Sequence, residues 1–239
     1  MRDKLIELGC NPEKVVVHHI GIKLGKYEFR ERKLNNKIRL MACGRFVEKK
    51  GTPYAIQALK QVMSKTKADV HLTIVGDSDN KGTPTVEKRK ILNYIDKYQV
   101  ANAVTMTGYL PHDEVLKIAY DHHIFLAPSV HASDGDAEGG FPVILTEVLA
   151  TGMPVVAFEH CDIPEIIQDG KSGFIVPERN VGALAEKLLY LIEHPQIWPE
   201  MGQAGRAQIE DNYDINMLNE RLIRIYQDLS KNSKVSSQR

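Results

Sequence analysis

The sequence predicts an α/β fold on a doubly wound, Rossmann-like parallel sheet, and three observations predict it. Short β-branched runs alternate with helical patterns, the signature of parallel strands joined by crossover helices. A Gly or Pro signal stands at the carboxyl end of nearly every strand run: Gly44, Gly76, Gly108 and Pro128-Ser129. The 239 residues are 43% apolar, enough to bury a substantial core in one good-sized domain. Ligands of open α/β sheets bind along the carboxyl edge, where the strand order reverses, so the unusual loops are expected to converge on one rim.

In chain order, the first strand is expected from Ile38 to Cys43 and the first crossover helix from Thr52 to Thr66. Val70 to Val75 and Ala103 to Thr107 read as strands, separated by a helix from Val86 to Tyr98. A helix from His112 to Tyr120 leads to a strand from Ile124 to Ala127. Pro142 suits the first turn of the next helix, which runs to Thr151, and Gly152 suits its end. Val155-Val156-Ala157 opens a buried-strand run to Phe158, and a short strand follows from Gly173 to Val176. Helices from Val181 to Glu193, Pro199 to Asn212 and Ile215 to Leu229 close the chain, with Trp198 read as packing. The Ser/Lys-rich segment 231–239 reads as a disordered tail.

Two loops carry chemistry. In the segment from Glu138 through Gly139, Gly140, Phe141 and Pro142 to Glu147, the glycines free the backbone to approach a ligand. Glu147 stands among Ile144, Leu145, Val148 and Leu149, where a carboxylate is costly to bury unless a group such as a ligand hydroxyl donates to it. The bland alternative is a half-solvated helix face. The second loop, Gly44-Arg45-Phe46-Val47-Glu48-Lys49-Lys50-Gly51, puts two glycines and three cations directly before a helix start. Amides at a helix N-terminus, with Arg and Lys charges, can neutralise a diphosphate without a metal. Its bland alternative is a solvated basic loop with Glu48 as the partner of the cations.

Composition removes several classes. Thirty-one basic residues balance thirty-one acidic ones, so nothing favours nucleic acid or a general electrostatic membrane anchor. Cys10, Cys43 and Cys161 lack metal-ligand spacing, and no secretory leader or spanning apolar run is evident, which points to a reducing cytosol. Glu165 to Ser172 nearly spells a P-loop but has Glu where the first Gly belongs. Asp134 to Gly139 resembles the start of an EF-hand loop, but Leu145 holds the place of the bidentate Glu. His122, His123, His131 and His160 could form a metal or acid/base cluster; without i,i+4 spacing they read instead as ordinary loop and strand-end residues. No metal site is expected.

On these residues the chain resembles the donor-binding, C-terminal half of a GT-B glycosyltransferase, and within that group retaining glycosyltransferase family 4, over roughly residues 5 to 230. The resemblance rests on Gly44-Arg45 with Lys50-Gly51, Gly108-Tyr109-Leu110-Pro111, Pro128-Ser129, and the acidic pair Glu138 and Glu147. It continues through Gly152-Met153-Pro154-Val155-Val156, Ile163-Pro164-Glu165, Asp169-Gly170 and Val176-Pro177. The family's acidic signature has seven intervening residues, whereas the doubled glycine gives eight here.

The resemblance implies a nucleotide-sugar donor (a UDP-, GDP- or ADP-sugar) and transfer of a hexose-type sugar with retention, with no metal cofactor. Arg45 and Lys50 would hold the diphosphate beside the backbone of Gly44, and Glu147 the ribose hydroxyls. Glu138, with Gly139, Gly140, Phe141 and Pro142, would meet the sugar; Gly108, Tyr109 and Leu110 would meet the base. It implies that residues 1–36 are the end of an N-terminal domain and its linker, residues 37–214 the nucleotide-sugar-binding domain and residues 215–230 a C-terminal helix. An N-terminal acceptor domain for a glycan or glycolipid is expected ahead of this chain. Transfer by the chain alone is then expected to be weak or absent, with self-association through an exposed interdomain apolar surface. A cytoplasmic location, peripheral to the inner membrane face, is the family-level expectation. A non-catalytic nucleotide-sugar-binding or regulatory module and half of a nucleotide-sugar epimerase are the alternatives.

Overall fold

The computed structural model describes residues 2–78, 85–138 and 142–236. Among them, six strands form one wholly parallel sheet: β1 (Ile38–Cys43), β2 (Val70–Val75), β3 (Val104–Met106), β4 (Ile124–Ala127), β5 (Val155–Phe158) and β6 (Gly173–Val176). Their order across the sheet is β3-β2-β1-β4-β5-β6, which reverses between β1 and β4. This is the doubly wound arrangement that the alternation of strand and helix runs predicts.

The helices are α1 (Arg2–Glu7), α2 (Thr52–Lys65), α3 (Val86–Tyr98), α4 (His112–Tyr120), α5 (Val143–Ala150), α6 (Ile163–Ile166), α7 (Val181–Glu193), α8 (Trp198–Tyr213) and α9 (Ile215–Ser236). β1, β4 and β5 are central; β4 and β5 read as unbroken apolar runs because both faces are covered, and β1 is apolar but for Arg39 near its start. One core layer packs α2 and α7 on the sheet through Ile56, Leu59, Leu184, Leu188 and Trp198. The opposite layer packs α5 and α8 through Leu145, Leu149, Ile209 and Tyr213.

Several details differ from the sequence reading. β3, at the edge of the sheet, has three residues, so the strand expected from Ala103 to Thr107 is shorter. α9 continues to Ser236, well into the segment read as a disordered tail. α1 and the single-turn α6 were not anticipated; neither is long enough to show a helical period. The lead-in before residue 37, assigned by resemblance to the preceding domain and linker, is docked on this one: Ile22, Tyr27 and Arg32 are buried. Glu165 to Ser172 runs from the end of α6 toward β6, helix into strand, the reverse of a phosphate-binding P-loop.

Candidate functional site

The rim at the switch point is built by the turns that leave β1 and β4. After β1 the chain makes a single tight turn, Glu48–Lys50, and enters α2 through Gly51 at φ 62°. A Cβ at Gly51 would lie 1.7 Å from the Pro128 carbonyl oxygen, so the β1 and β4 loops touch backbone to backbone there. That contact, together with the positive φ, requires glycine.

Side chains bind the same two loops together. Glu48 accepts from the backbone N–H and hydroxyl of Ser133, at 3.1 and 2.6 Å. Those bonds hold the Glu48 carboxyl below its ordinary range, so Glu48 is not the partner of its neighbouring lysines. Lys49 donates to Asp136 and to the Ala137 carbonyl, both at 3.0 Å, and its own carbonyl accepts from Val130. Lys50 Nζ lies 2.8 Å from Glu138 Oε1. This contact is an ion pair outside hydrogen-bond geometry, and among the described residues the buried Oε1 receives no hydrogen bond. Arg45 is exposed at the same turn and its charge, after that of Lys49, helps hold the Asp136 carboxyl low.

Glu147, on α5, is buried and faces the other side of the rim. The Tyr27 hydroxyl donates to its Oε1 at 2.7 Å, and His112 Nε2 lies 2.9 Å from the same oxygen. The donor that this carboxylate was expected to need is thus supplied at Oε1 by protein groups. Among the described residues neither contact uses Oε2. Burial first, then the bond to Glu147, raises the Tyr27 phenol well above its ordinary value, so it stays a neutral donor. Tyr27 and His112 are the residues the sequence reading missed. Neither stands in a motif with Glu147, and the 120-residue separation of Tyr27 leaves no local signal.

Gly108 follows β3 in the left-handed region at φ 73°, and its carbonyl accepts from the Gly76 N–H at 3.0 Å. Tyr109 is 53% exposed beside it, while Leu110 packs against the core layer of α5. Pro142 caps the start of α5 rather than occupying its first turn. Gly139, Gly140 and Phe141 lie outside the described residues. Gly44, Lys50, Pro128, Ser129 and Pro142 line a shallow cavity of about 20 Å³ with Cys43, whose thiol burial pushes up to about 11. A larger cavity, about 540 Å³, lies away from this rim among Gly170, Phe174, Tyr190, Ile197 and Met201. Lys171, Lys187 and Glu200 also line it, and among the described residues no ion pair joins them.

The four histidines divide. His122 and His123 are buried and used structurally: His122 bonds Thr73 Oγ1 and the Ile118 carbonyl, and His123 accepts from the Arg39 N–H and packs on Trp198. His131 and His160 instead meet at the rim, with ring centroids 4.6 Å apart.

A family model described as glycosyl transferases group 1 matches residues 26–208. The putative colanic acid biosynthesis glycosyltransferase WcaL of Salmonella typhimurium is 32% identical over 227 residues, 94% of this chain and 53% of that protein. The amylovoran biosynthesis glycosyltransferase AmsK of Erwinia amylovora is 32% identical over 228 residues, 95% of this chain and 54% of that one. The chain thus spans about half the length of the curated relatives it matches. Among solved structures, a glycosyltransferase from Rickettsia africae superposes with a TM-score of 0.80 at 17% identity, over 97% of this chain and 62% of that one. The Anabaena HepE protein in complex with UDP superposes with a TM-score of 0.79 at 18% identity, over 95% and 61%. No helix among the described residues is long and apolar enough to cross a membrane.

Proposed function

The chain belongs to the glycosyl transferases group 1 family, and on that premise we propose that its rim binds a nucleotide-sugar donor whose hexose is transferred with retention. The observation that carries the proposal is the pair of carboxylates on opposite sides of the switch point. Among the described residues, Glu138 is held by the Lys50 charge and lacks a hydrogen-bond donor at Oε1, while Tyr27 and His112 both meet Glu147 at Oε1.

Without donor, Lys50 neutralises Glu138. A diphosphate arriving at the Gly44–Gly51 turn competes for Lys50, and Arg45 adds the second charge. Both then stabilise the negative charge that grows on the leaving diphosphate, with no metal ion needed. Glu138, released from Lys50, accepts from a sugar hydroxyl, and Glu147 Oε2 accepts from the ribose. The backbone of Gly108 to Leu110 offers a surface to the base, with the exposed Tyr109 ring able to stack on it. The 2.8 Å contact makes Lys50 a placeholder for the donor's own hydroxyls.

The acceptor, a glycan or glycolipid, would meet a second domain across the rim, since a single wall neither excludes water nor positions a nucleophile. Ile223, Tyr226 and Leu229, exposed along α9, would serve as docking surface for that domain or for another copy of the chain. The relatives named for colanic acid and amylovoran biosynthesis support work on such an acceptor; a place in the cytoplasm, at the inner membrane face, belongs to the same reading.

Thermal unfolding with UDP, GDP and ADP tests the donor site. A nucleotide at 100 times its Kd adds about 2.7 kcal/mol, a rise of roughly 5–10 °C for a domain of this size. One nucleotide is expected to raise the midpoint of the wild type, and Arg45→Ala and Glu147→Ala are each expected to lose the rise. Equal stabilisation of the wild type and both variants would remove the rim from donor binding.

A further inference from the structure

The chain segments that follow β4, β5 and β6 bring a second cluster of side chains to the sheet's carboxyl edge, which touches the donor reading only through the backbone N–H of Glu138. His131 follows β4, His160 and Cys161 follow β5, and Glu178 follows β6. One ring nitrogen from each histidine and the Cys161 sulfur lie within 4.8 Å of one another. From this geometry we propose that His131, His160 and Cys161 bind a zinc ion, with Glu178 as the carboxylate that orients both imidazoles.

Three features support this assignment. Glu178 Oε1 lies 2.5 Å from His160 Nδ1 and 2.7 Å from His131 Nδ1. A carboxylate on Nδ1 fixes that nitrogen as the donor and leaves the Nε2 lone pair for a cation, the arrangement that ligating histidines usually have.

His160 Nε2 lies 3.3 Å from Cys161 Sγ. Zinc bonds of about 2.0 Å to nitrogen and 2.3 Å to sulfur at a tetrahedral angle place those two atoms about 3.5 Å apart. The observed separation already fits, with the His160 side chain fully buried and fixed. Third, Cys161 adopts φ 46°, in the left-handed region that L side chains seldom enter. Such backbone persists where the surroundings over-determine it, commonly at ligand sites. Here it belongs to the residue whose sulfur lies beside His160.

Without a cation the site is held by protons. Cys161 carries its S–H proton there. The His160 Nε2 lone pair accepts the backbone N–H of Glu138 at 3.1 Å. Zinc would replace both: the S–H proton leaves to solvent as the Zn–S bond forms, and the Glu138 N–H loses its acceptor. Two histidines and one thiolate leave a fourth coordination position for water.

The test adds Co²⁺, as an optical stand-in for Zn²⁺, to the metal-free chain. The expected result is a thiolate-to-cobalt charge-transfer band that a single equivalent of Zn²⁺ displaces, with proton release in weak buffer. Cys161→Ser should abolish the band. His131→Gln should weaken Zn²⁺ binding at least about tenfold by removing a ligand, and Glu178→Gln should weaken it about 10–100-fold by freeing the imidazoles. Cys161 and His131 are exposed, so these two variants are expected to unfold at the wild-type midpoint when metal-free. Absence of the band in the wild type, or binding that survives Cys161→Ser and His131→Gln unchanged, overturns the proposal. Neither readout involves a nucleotide, so this result and that of the donor experiment are independent.

Discussion

Arg32 and Glu138 are both buried charges, and they are handled in opposite ways. The Arg32 guanidinium has no carboxylate partner among the described residues, yet it is saturated: it donates to the carbonyls of Arg30, Ala119, His122 and Thr151 and to the Thr151 hydroxyl. Ala119 and Thr151 lie at the C-terminal ends of α4 and α5, where the helix dipoles favour a cation. Burial lowers the pKa of Arg32 to about 10, and it remains charged at neutral pH. Glu138, at the rim, has the reverse arrangement: one cation at 2.8 Å and a carboxylate oxygen with no hydrogen-bond donor among the described residues. The charge that holds the fold has every bond filled, whereas the charge proposed to meet a ligand keeps capacity in reserve.

Breaking the saturated charge should have the largest effect. Arg32→Met leaves those carbonyls without their donor and is expected to cost about 3 kcal/mol. The thermal midpoint would fall by roughly 6–12 °C. A loss below about 1 kcal/mol in chemical denaturation would mean that water replaces the guanidinium and the contrast is weaker than drawn.

Lys50→Ala sharpens the other side. The loss of nucleotide stabilisation should match that of Arg45→Ala, about 2.7 kcal/mol at saturating ligand. Stability without nucleotide should fall by about 1–3 kcal/mol, because the buried Glu138 carboxylate loses its cation while Lys50 itself is partly exposed. A larger loss of stability in Lys50→Ala without nucleotide would make the pair structural.

A smaller effect is expected with pH. Burial lowers the pKa of His123 to about 4 and lowers that of His122 as well, so both are neutral in the folded chain at pH 7. An unfolded histidine titrates near 6.5, so protons bind the unfolded state first. Stability should be full above about pH 6.5 and decline as pH falls toward 4. Urea midpoints across that range should show the decline, and His123→Gln should flatten it.

The smallest effect is reserved for Glu138→Gln. Stability is expected to shift by no more than about 0.5 kcal/mol, since Oε1 has no hydrogen bond to lose. The variant should bind the free nucleotide as wild type does but lose any added affinity for the nucleotide-sugar, which paired calorimetric titrations would resolve.

The unequal legibility of the sequence has physical causes. β1, β2, β4, β5 and β6 fall at their expected residues because each is a short, largely apolar or β-branched run bounded by a turn signal. β3 is shorter than read, being an edge strand with little burial to mark its ends. At the rim, Lys50 and Glu138 were legible from loop chemistry, but their contact was not, because it depends on how far β1 stands from β4. Tyr27, His112 and Arg32 gave no signal at all: each acts on a group far away in the chain, and periodicity reports only on neighbours. His131 and His160 were set aside for want of helical spacing. The test was the wrong one, since residues at the ends of adjacent parallel strands meet whatever their separation in sequence.

The contacts between the β1 and β4 loops have a consequence for the tempo of binding. Glu48 with Ser133, Lys49 with Asp136 and Ala137, and the close approach of Gly51 to Pro128 tie residues 48–51 to residues 128–137 before any ligand arrives. Little conformational entropy then remains to be lost on capture. Association should be set by diffusional encounter rather than by a slow closing step on these loops, and discrimination among ligands should be expressed in how long each one stays.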